Sequence, residues 1–164
     1  MTAGDVVDWD VFVSYNKADR KWAEWIAWQL EDRGWRVLVE AWDFVPGSSW
    51  ADGMEEGVRR AKRMLLVMSP DYLGSVYGKA EWEVVWASDP LGRLRKLLPV
   101  RVRECGRPGF LGQVVGVDLF GTAEDEARRR LLDAVQAAVE GRSKPSSPPP
   151  FPGPDTSPPF PPAT

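Results

Sequence analysis

Histidine is absent from the 164 residues, and cysteine occurs once, at Cys105. The first absence excludes Ser-His-Asp and Cys-His catalysis and removes imidazole from any metal site, so no metal is expected. The second excludes an internal disulfide and a thiolate cluster. With no histidine to activate it, Cys105 reads as a bland, partly buried thiol. A positive field is lacking too. The chain carries 24 acidic against 21 basic residues, a net charge of −3, which favours neither nucleic acid nor an anionic membrane as partner. Arg59, Arg60, Lys62 and Arg63 form the densest basic run, but Glu55 and Glu56 stand one turn upstream, and the run reads as a solvated helix face. No apolar stretch approaches the ~18–20 residues of a membrane span. Asp5, Asp8 and Asp10 stand where a signal peptide needs basic residues. The expectation is a cytoplasmic protein whose chemistry must use carboxylates, hydroxyls, amines or backbone groups.

Proline, in contrast, is abundant and unevenly placed. Ten of the fifteen prolines lie between Pro145 and Pro162, in a segment that buries too little apolar surface to offset its ordering entropy. Residues 141–164 are therefore expected to form a mobile tail or linker, and residues 1–8 a short N-terminal extension. Pro158-Pro159-Phe160-Pro161 is by itself too weak a pattern to define a docking motif.

Between these ends, over residues 9–140, strand-like and helix-like segments alternate. Val11-Phe12-Val13 is a short apolar run ending at Ser14-Tyr15. Asp19 stands where it can cap a helix with Trp22, Ile26 and Leu30 on one face, and Gly34 stops that helix. Residues 36–39 read as strand two. Ser48 or Ser49 caps a helix with Trp50, Met54, Val58 and Ala61 aligned. Residues 64–68 are an unbroken apolar run of the kind buried on both sides. A short helix over 79–87 and strands over 97–102 and 114–119 follow. Thr122 opens a last helix, with Asp125 completing a capping box and Leu131, Leu132, Val135 and Val139 facing inward.

Such alternation predicts an α/β fold: a flavodoxin-like three-layer sandwich with a five-stranded parallel sheet in the order 2-1-3-4-5 and helices on both faces. Ligands in that topology bind beyond the carboxyl ends of strands one and three, where the strand order reverses. Two common occupants of the topology are excluded by the residues there. A phosphoacceptor receiver needs paired acids after strand one and an aspartate after strand three, whereas this chain has Ser14-Tyr15 and Ser69-Pro70. No Gly-x-x-x-x-Gly-Lys-Ser/Thr loop occurs, which removes the P-loop reading.

Trp9-Asp10-Val11-Phe12-Val13-Ser14-Tyr15, Asp43-Phe44-Val45-Pro46-Gly47 after strand two, and Leu65 through Ser69-Pro70-Asp71-Tyr72 resemble, in order, the first box, the BB loop and the third strand of the Toll/interleukin-1 receptor (TIR) domain family. Trp42 stands where the family often has Arg, and Leu119-Phe120-Gly121 is a loose stand-in for the third box. The resemblance implies a module that self-associates with other TIR domains in signalling or innate immunity. For many bacterial and plant members it also implies cleavage of NAD, as substrate rather than cofactor, at the nicotinamide–ribose bond. Ser75-Val76-Tyr77-Gly78-Lys79-Ala80-Glu81 is similar to the pattern that carries the catalytic glutamate in those enzymes. Glu81 is accordingly the expected catalytic residue, with Ser75 and Tyr77 beside the substrate. A carboxylate there would stabilise an oxocarbenium-like transition state, as in glycoside hydrolysis. The alternative is a non-catalytic adaptor, for which a non-acidic residue would be expected at position 81.

Other positions keep two readings. Tyr15 ends the first box and is expected at the substrate. Asn16 and Lys17 either touch substrate or are ordinary loop residues. Asp43, in the BB loop, is expected at the substrate, and Gly47 allows close approach of its backbone or simply makes a turn. Trp50 either stacks on a base or staples the following helix. Trp82 and Trp86 read as core. Phe44, Val45 and Pro46 are expected at a TIR–TIR interface. Trp28 lies roughly 160° from the buried face of its helix at ~100° per residue, so it is expected to be at least half exposed and to offer a contact surface.

Overall fold

A computed structural model of the chain describes residues 8–74, 76–107 and 109–154, with backbone alone for residues 76–81 and 110. Strand β1 (Trp9–Ser14) is followed by a 3-10 turn (Lys17–Asp19) and helix α1 (Arg20–Asp32). Next come β2 (Val37–Val39), α2 (Glu40–Asp43), α3 (Trp50–Arg60) and β3 (Ala61–Met68). The chain continues through α4 (Pro70–Leu73), α5 (Val76–Ser88), β4 (Leu97–Arg101), β5 (Val117–Asp118) and α6 (Glu124–Glu140). The strands form one parallel sheet in the order β2-β1-β3-β4-β5. The expected fold is therefore the observed one.

Alternation along the strands builds two cores, because successive side chains of a strand point to opposite faces. Val11 and Val13 of β1, with Leu65 and Val67 of β3, face α1 and α6. Their neighbours Phe12, Met64, Leu66 and Met68 face the other way, where Tyr72, Trp82 and Val85 cover them. Helix α1 buries Ala23, Ile26, Ala27 and Leu30, spaced as one helical face, and α6 buries Ala127, Leu131, Leu132, Val135 and Ala138. Trp82 is buried and Trp86 packs against the second core, as their spacing suggested. Among the described residues no helix is long and apolar enough to cross a membrane.

Helix α3 approaches β1 closely at Gly57. A Cβ there would lie 2.7 Å from the Phe12 ring, which is itself buried. Gly57→Ala is therefore expected to cost about 1–3 kcal/mol, despite alanine's better helix propensity, because ring or helix must move. A rise in urea midpoint would show that the helix relaxes freely instead.

Several local expectations are corrected. The capping box of the last helix does not form. Helix α6 starts at Glu124 behind Ala123, which makes no side-chain cap bond; the Thr122 hydroxyl donates back to the Leu119 carbonyl at 2.8 Å, and Asp125 pairs with Arg128. Val139 is 42% exposed rather than inward, because Ala138 takes the inward position. Strand β5 is two residues long instead of six. Pro99 has no N–H to offer a neighbour, and Gly116 lies so close that a Cβ would meet the Pro99 carbonyl oxygen at 2.6 Å. Ser49, not Ser48, caps α3 by accepting from the Asp52 N–H. Met54 and Val58 pack inward as expected, but Trp50 is 44% exposed and Ala61 already belongs to β3. The basic run is likewise divided. Arg59 and Arg60 pair with Glu55 and Glu56 on α3, while Arg63, on β3, donates to the Ala138 carbonyl at 3.1 Å.

Candidate functional site

The reversal of strand order leaves β1 and β3 ending side by side, with Ser14 opposite Leu66. A buried polar clamp joins the segments that leave them. Ser14 Oγ and the Tyr72 hydroxyl share a hydrogen bond of 2.9 Å. Ser69 Oγ accepts the Tyr72 backbone N–H at 3.1 Å, which caps α4, and donates its own proton to Asp19 Oδ2. Ser14, Asp19, Ser69 and Tyr72 are all buried. Asp19 was expected to cap α1, but its side chain makes no cap bond; it crosses instead to the β3 side. Its Oδ1 has no hydrogen-bond partner, and the half-exposed Arg103 guanidinium stands 3.6 Å away, within ion-pair range. Arg103 also reaches Asp71 at 3.6 Å. Sequence reasoning missed this clamp because an aspartate before a helix reads equally well as a cap.

The loop after β1 forms one wall. Tyr15 is half-buried, and burial pushes its hydroxyl up to about 12, with the Glu40 carboxylate adding to the rise. It is therefore a protonated hydroxyl at neutral pH, able to donate a hydrogen bond. Asn16 Oδ1 accepts the Ala18 N–H at 2.9 Å, which caps the 3-10 turn. Lys17 is exposed beside it.

The segment after β2 forms a second wall. Asp43 Oδ2 accepts the Val39 N–H at 2.8 Å; burial pushes its carboxyl above the usual carboxylate range, partly offset by that bond. Gly47 has φ +92°, in the left-handed region that favours glycine, and the Ser48 N–H closes a turn on the Val45 carbonyl. Phe44 is only partly exposed. It packs against the second core, where its ring occupies the space a Cβ on Gly53 would need. Val45 and Pro46 remain exposed at the tip. Trp42, where an Arg was expected, packs on the first core and donates its indole N–H to Glu24 at 3.2 Å.

The third wall is α5, which begins three residues after α4. Ser75 lies outside the described residues, and the side chains of Tyr77 and Glu81 lie outside the described side chains, although both positions belong to the α5 backbone. Away from these walls, Trp28 is 64% exposed, as its helical phase predicted. Cys105 is half-buried and burial pushes its thiol up, which agrees with an unreactive cysteine.

Next to the clamp, Arg101 at the end of β4 holds Asp118 of β5 through two bonds of 2.7 Å. The paired guanidinium holds the Asp118 carboxyl below the usual range. A carboxylate with a depressed folded pKa contributes stability above its unfolded value near 3.9, and that contribution disappears as pH falls through the folded value. Asp118→Asn is therefore expected to lower the urea midpoint at neutral pH and to flatten its decline below about pH 4. An unchanged acid limb would remove the pair from the pH dependence.

Strand order, helix placement and the buried polar clamp at the switch point define the class: a flavodoxin-like α/β module with its candidate site at the reversal of the sheet. Within that class the chain belongs to the TIR domain family, whose model matches residues 11–132. It is similar to the TIR domain of the Toll-related receptor TRR-2 of Hydra magnipapillata, with 23% identity over 78% of this chain and 98% of that one and a TM-score of 0.62. It is also similar to a metazoan TIR-STING receptor from C. gigas, with 25% identity and a TM-score of 0.64; 79% of this chain is matched, but only 40% of the receptor. The TIR domains of the activated Roq1 resistosome share the fold at 14% identity and a TM-score of 0.59, over 81% of this chain and 98% of theirs.

Proposed function

We propose that this TIR domain is an NAD glycohydrolase that hydrolyses the nicotinamide–ribose bond, with Glu81 as its catalytic carboxylate. The observation that carries the reading is the sequence pattern Ser75-x-Tyr77-x-x-x-Glu81, of which positions 77 and 81 belong to the α5 backbone. The absence of histidine supports it by elimination, since this reaction needs no imidazole. Nicotinamide leaves as a neutral base from a cationic ribosyl donor, so no acid has to protonate it. One carboxylate then suffices to hold the ribose hydroxyls and balance the developing oxocarbenium charge. Water attacks the anomeric carbon as the C–N bond breaks, giving nicotinamide, ADP-ribose and a proton. An internal nucleophile would instead give a cyclic product. Tyr15, as a hydroxyl donor, and Lys17, as an exposed cation, are the residues we assign to substrate polar groups.

Self-association with other TIR domains completes the proposed site, in a cytoplasmic signalling or immune setting. The exposed side chains of Trp28, Val45 and Pro46 support such contacts, and Trp50 is 44% exposed. The same surfaces favour the second reading, an adaptor without catalysis. Purified chain incubated with NAD discriminates the two. Nicotinamide release that rises faster than linearly with protein concentration, and that is lost in Glu81→Gln, supports the enzyme. Turnover equal in parent and variant would exclude Glu81 from the mechanism.

A further inference from the structure

The overall charge of −3 conceals a local segregation of charge at the amino ends of the strands, opposite the switch point. Three segments meet there, because β4 and β5 are parallel neighbours and α6 packs across both. They are residues 89–96 leading into β4, residues 114–116 leading into β5, and residues 141–143 leaving α6. All three border one groove of about 640 Å³, with Leu98, Val117 and Ala138 in its lining.

The segment before β4 is held as two successive turns. The Gly92 N–H donates to the Asp89 carbonyl at 3.0 Å, and the Arg95 N–H to the Gly92 carbonyl at 3.2 Å. The Asp89 carboxylate accepts the backbone N–H groups of Leu94 and Lys96 at 3.2 and 3.3 Å, so the acid is spent on the loop's own backbone. Arg95 has φ +52°, a left-handed conformation that is strained for a residue with a Cβ. A loop clasped in this way presents its leucines to solvent. Leu91 is 75% exposed and Leu94 59%, and Val115 on the segment before β5 is 90% exposed.

Cations surround these apolar tips. Arg93, Arg95 and Lys96 share the loop, Arg142 stands on the groove wall, and the exposed Lys144 follows two residues later. Arg95 donates to the carbonyls of Arg93 and Ala138, and Lys96 to the Ser88 hydroxyl. Among the described residues none of the five is ion-paired with a carboxylate. The acids nearby are the clasped Asp89 and Glu140, which accepts from Gln136. Screening limits exposed charges to about 8–10 Å at ordinary salt, so a docking surface responds to this local excess and not to the net charge. Apolar tips among unpaired Lys and Arg meet both attractions of an anionic bilayer: a fluid apolar layer for the tips and phosphates for the cations. A fluid layer also conforms to tips on separate segments, where a protein partner would need a shaped complement.

We propose that this end of the molecule docks on an anionic bilayer surface. Leu91, Leu94 and Val115 enter the boundary between headgroups and acyl chains, and Arg93, Arg95, Lys96 and Arg142 lie against lipid phosphates. Docked in this way, the protein keeps its switch point turned away from the lipid. The inference is independent of any activity toward NAD.

Co-sedimentation of the full chain with vesicles tests it. The protein is expected to bind vesicles of equal parts phosphatidylcholine and phosphatidylglycerol, to bind phosphatidylcholine alone much more weakly, and to be released as salt rises. Arg93→Gln and Arg142→Gln should each weaken binding roughly fivefold, as loss of one cation near an anionic surface does. The Leu91→Ser, Leu94→Ser double variant should weaken it about tenfold or more without changing the urea midpoint, since both side chains are already solvated. Arg33→Gln, an equal charge change at the exposed end of α1 beside β2, should bind like the parent. Equal binding to both vesicle types, or an equal loss in Arg33→Gln, would overturn the inference. So would a leucine variant that binds vesicles like the parent; if that variant also dissolved an oligomer seen by sedimentation, the surface would belong to a second copy.

Discussion

Asp19→Ala is expected to lower the free energy of unfolding by about 2–4 kcal/mol, more than any other single polar truncation at the switch point. Two interactions end on this carboxylate, and their surroundings differ. The Ser69 hydroxyl is fully buried and donates to Oδ2, so removing the acceptor leaves a buried donor unsatisfied. A hydrogen bond to a charged acceptor contributes about 1.5–3 kcal/mol, and the stranded group adds its desolvation cost. Arg103, by contrast, has a side chain 53% exposed and stands 3.6 Å from Oδ1. An ion pair so open to solvent contributes about 0–1 kcal/mol. Ser69 should therefore dominate. Arg103→Ala is expected to cost under ~1 kcal/mol, and the Asp19→Ala, Ser69→Ala double variant should cost much less than the sum of the singles. Urea unfolding with unchanged slope measures all of these. If Arg103→Ala matches Asp19→Ala, the ion pair and not the hydroxyl bond holds the clamp. The clamp matters beyond stability because Ser69 also caps α4, and α5 follows within three residues of that helix. Loss of Asp19 is thus expected to loosen the start of α4, from which the chain leads into α5.

Much of this architecture is readable before any coordinates. The sheet order follows from alternation of strand and helix periods, and Trp28 follows from helical phase alone, because both depend on local repeat geometry. Asp19, β5 and the start of α6 were not legible, and each for a non-local reason. The role of Asp19 depends on Ser69, fifty residues away, which competes successfully with the nearby helix terminus for the carboxylate. Strand β5 looks like a six-residue apolar stretch, yet its pairing is limited by Pro99 on the neighbouring strand. At α6 the Thr122 hydroxyl donates back to the Leu119 carbonyl, and Ala123 stands at the helix start without a side-chain cap bond. In the candidate site, Tyr15 was identified from its motif, but the elevation of its hydroxyl arises from burial and from Glu40 after β2, which no local pattern encodes. Phe44 shows the reverse limit. Its place in an exposed-looking loop suggested a contact residue, whereas Gly53 one turn into α3 leaves room for the ring to turn inward.

Glu81→Gln is expected to reduce nicotinamide release at least ~100-fold while leaving KM within a few-fold of the parent. The separation follows from what glutamine keeps and what it loses. Its amide oxygen still accepts a hydrogen bond from a ribose hydroxyl, so ground-state binding survives. Its missing charge no longer balances the oxocarbenium that develops as the C–N bond stretches, and a preorganised electrostatic contact of this kind contributes about 3–4 kcal/mol to the transition state. At 1.36 kcal/mol per tenfold that energy corresponds to the predicted loss in kcat. Glu81→Ala should lose both, with KM rising as kcat falls. Glu83→Gln, two residues along the same helix, serves as control and should turn over normally, since 200° of helical rotation separates the two positions. The pH profile supplies a further discrimination. With no leaving-group protonation required, the rate should fall on the acid side as a carboxyl takes up its proton, and should show no alkaline limb from a general acid. A bell-shaped profile in the parent, or a glutamine variant with low kcat whose KM has risen in proportion, would mean that Glu81 orients substrate and that another group carries the charge.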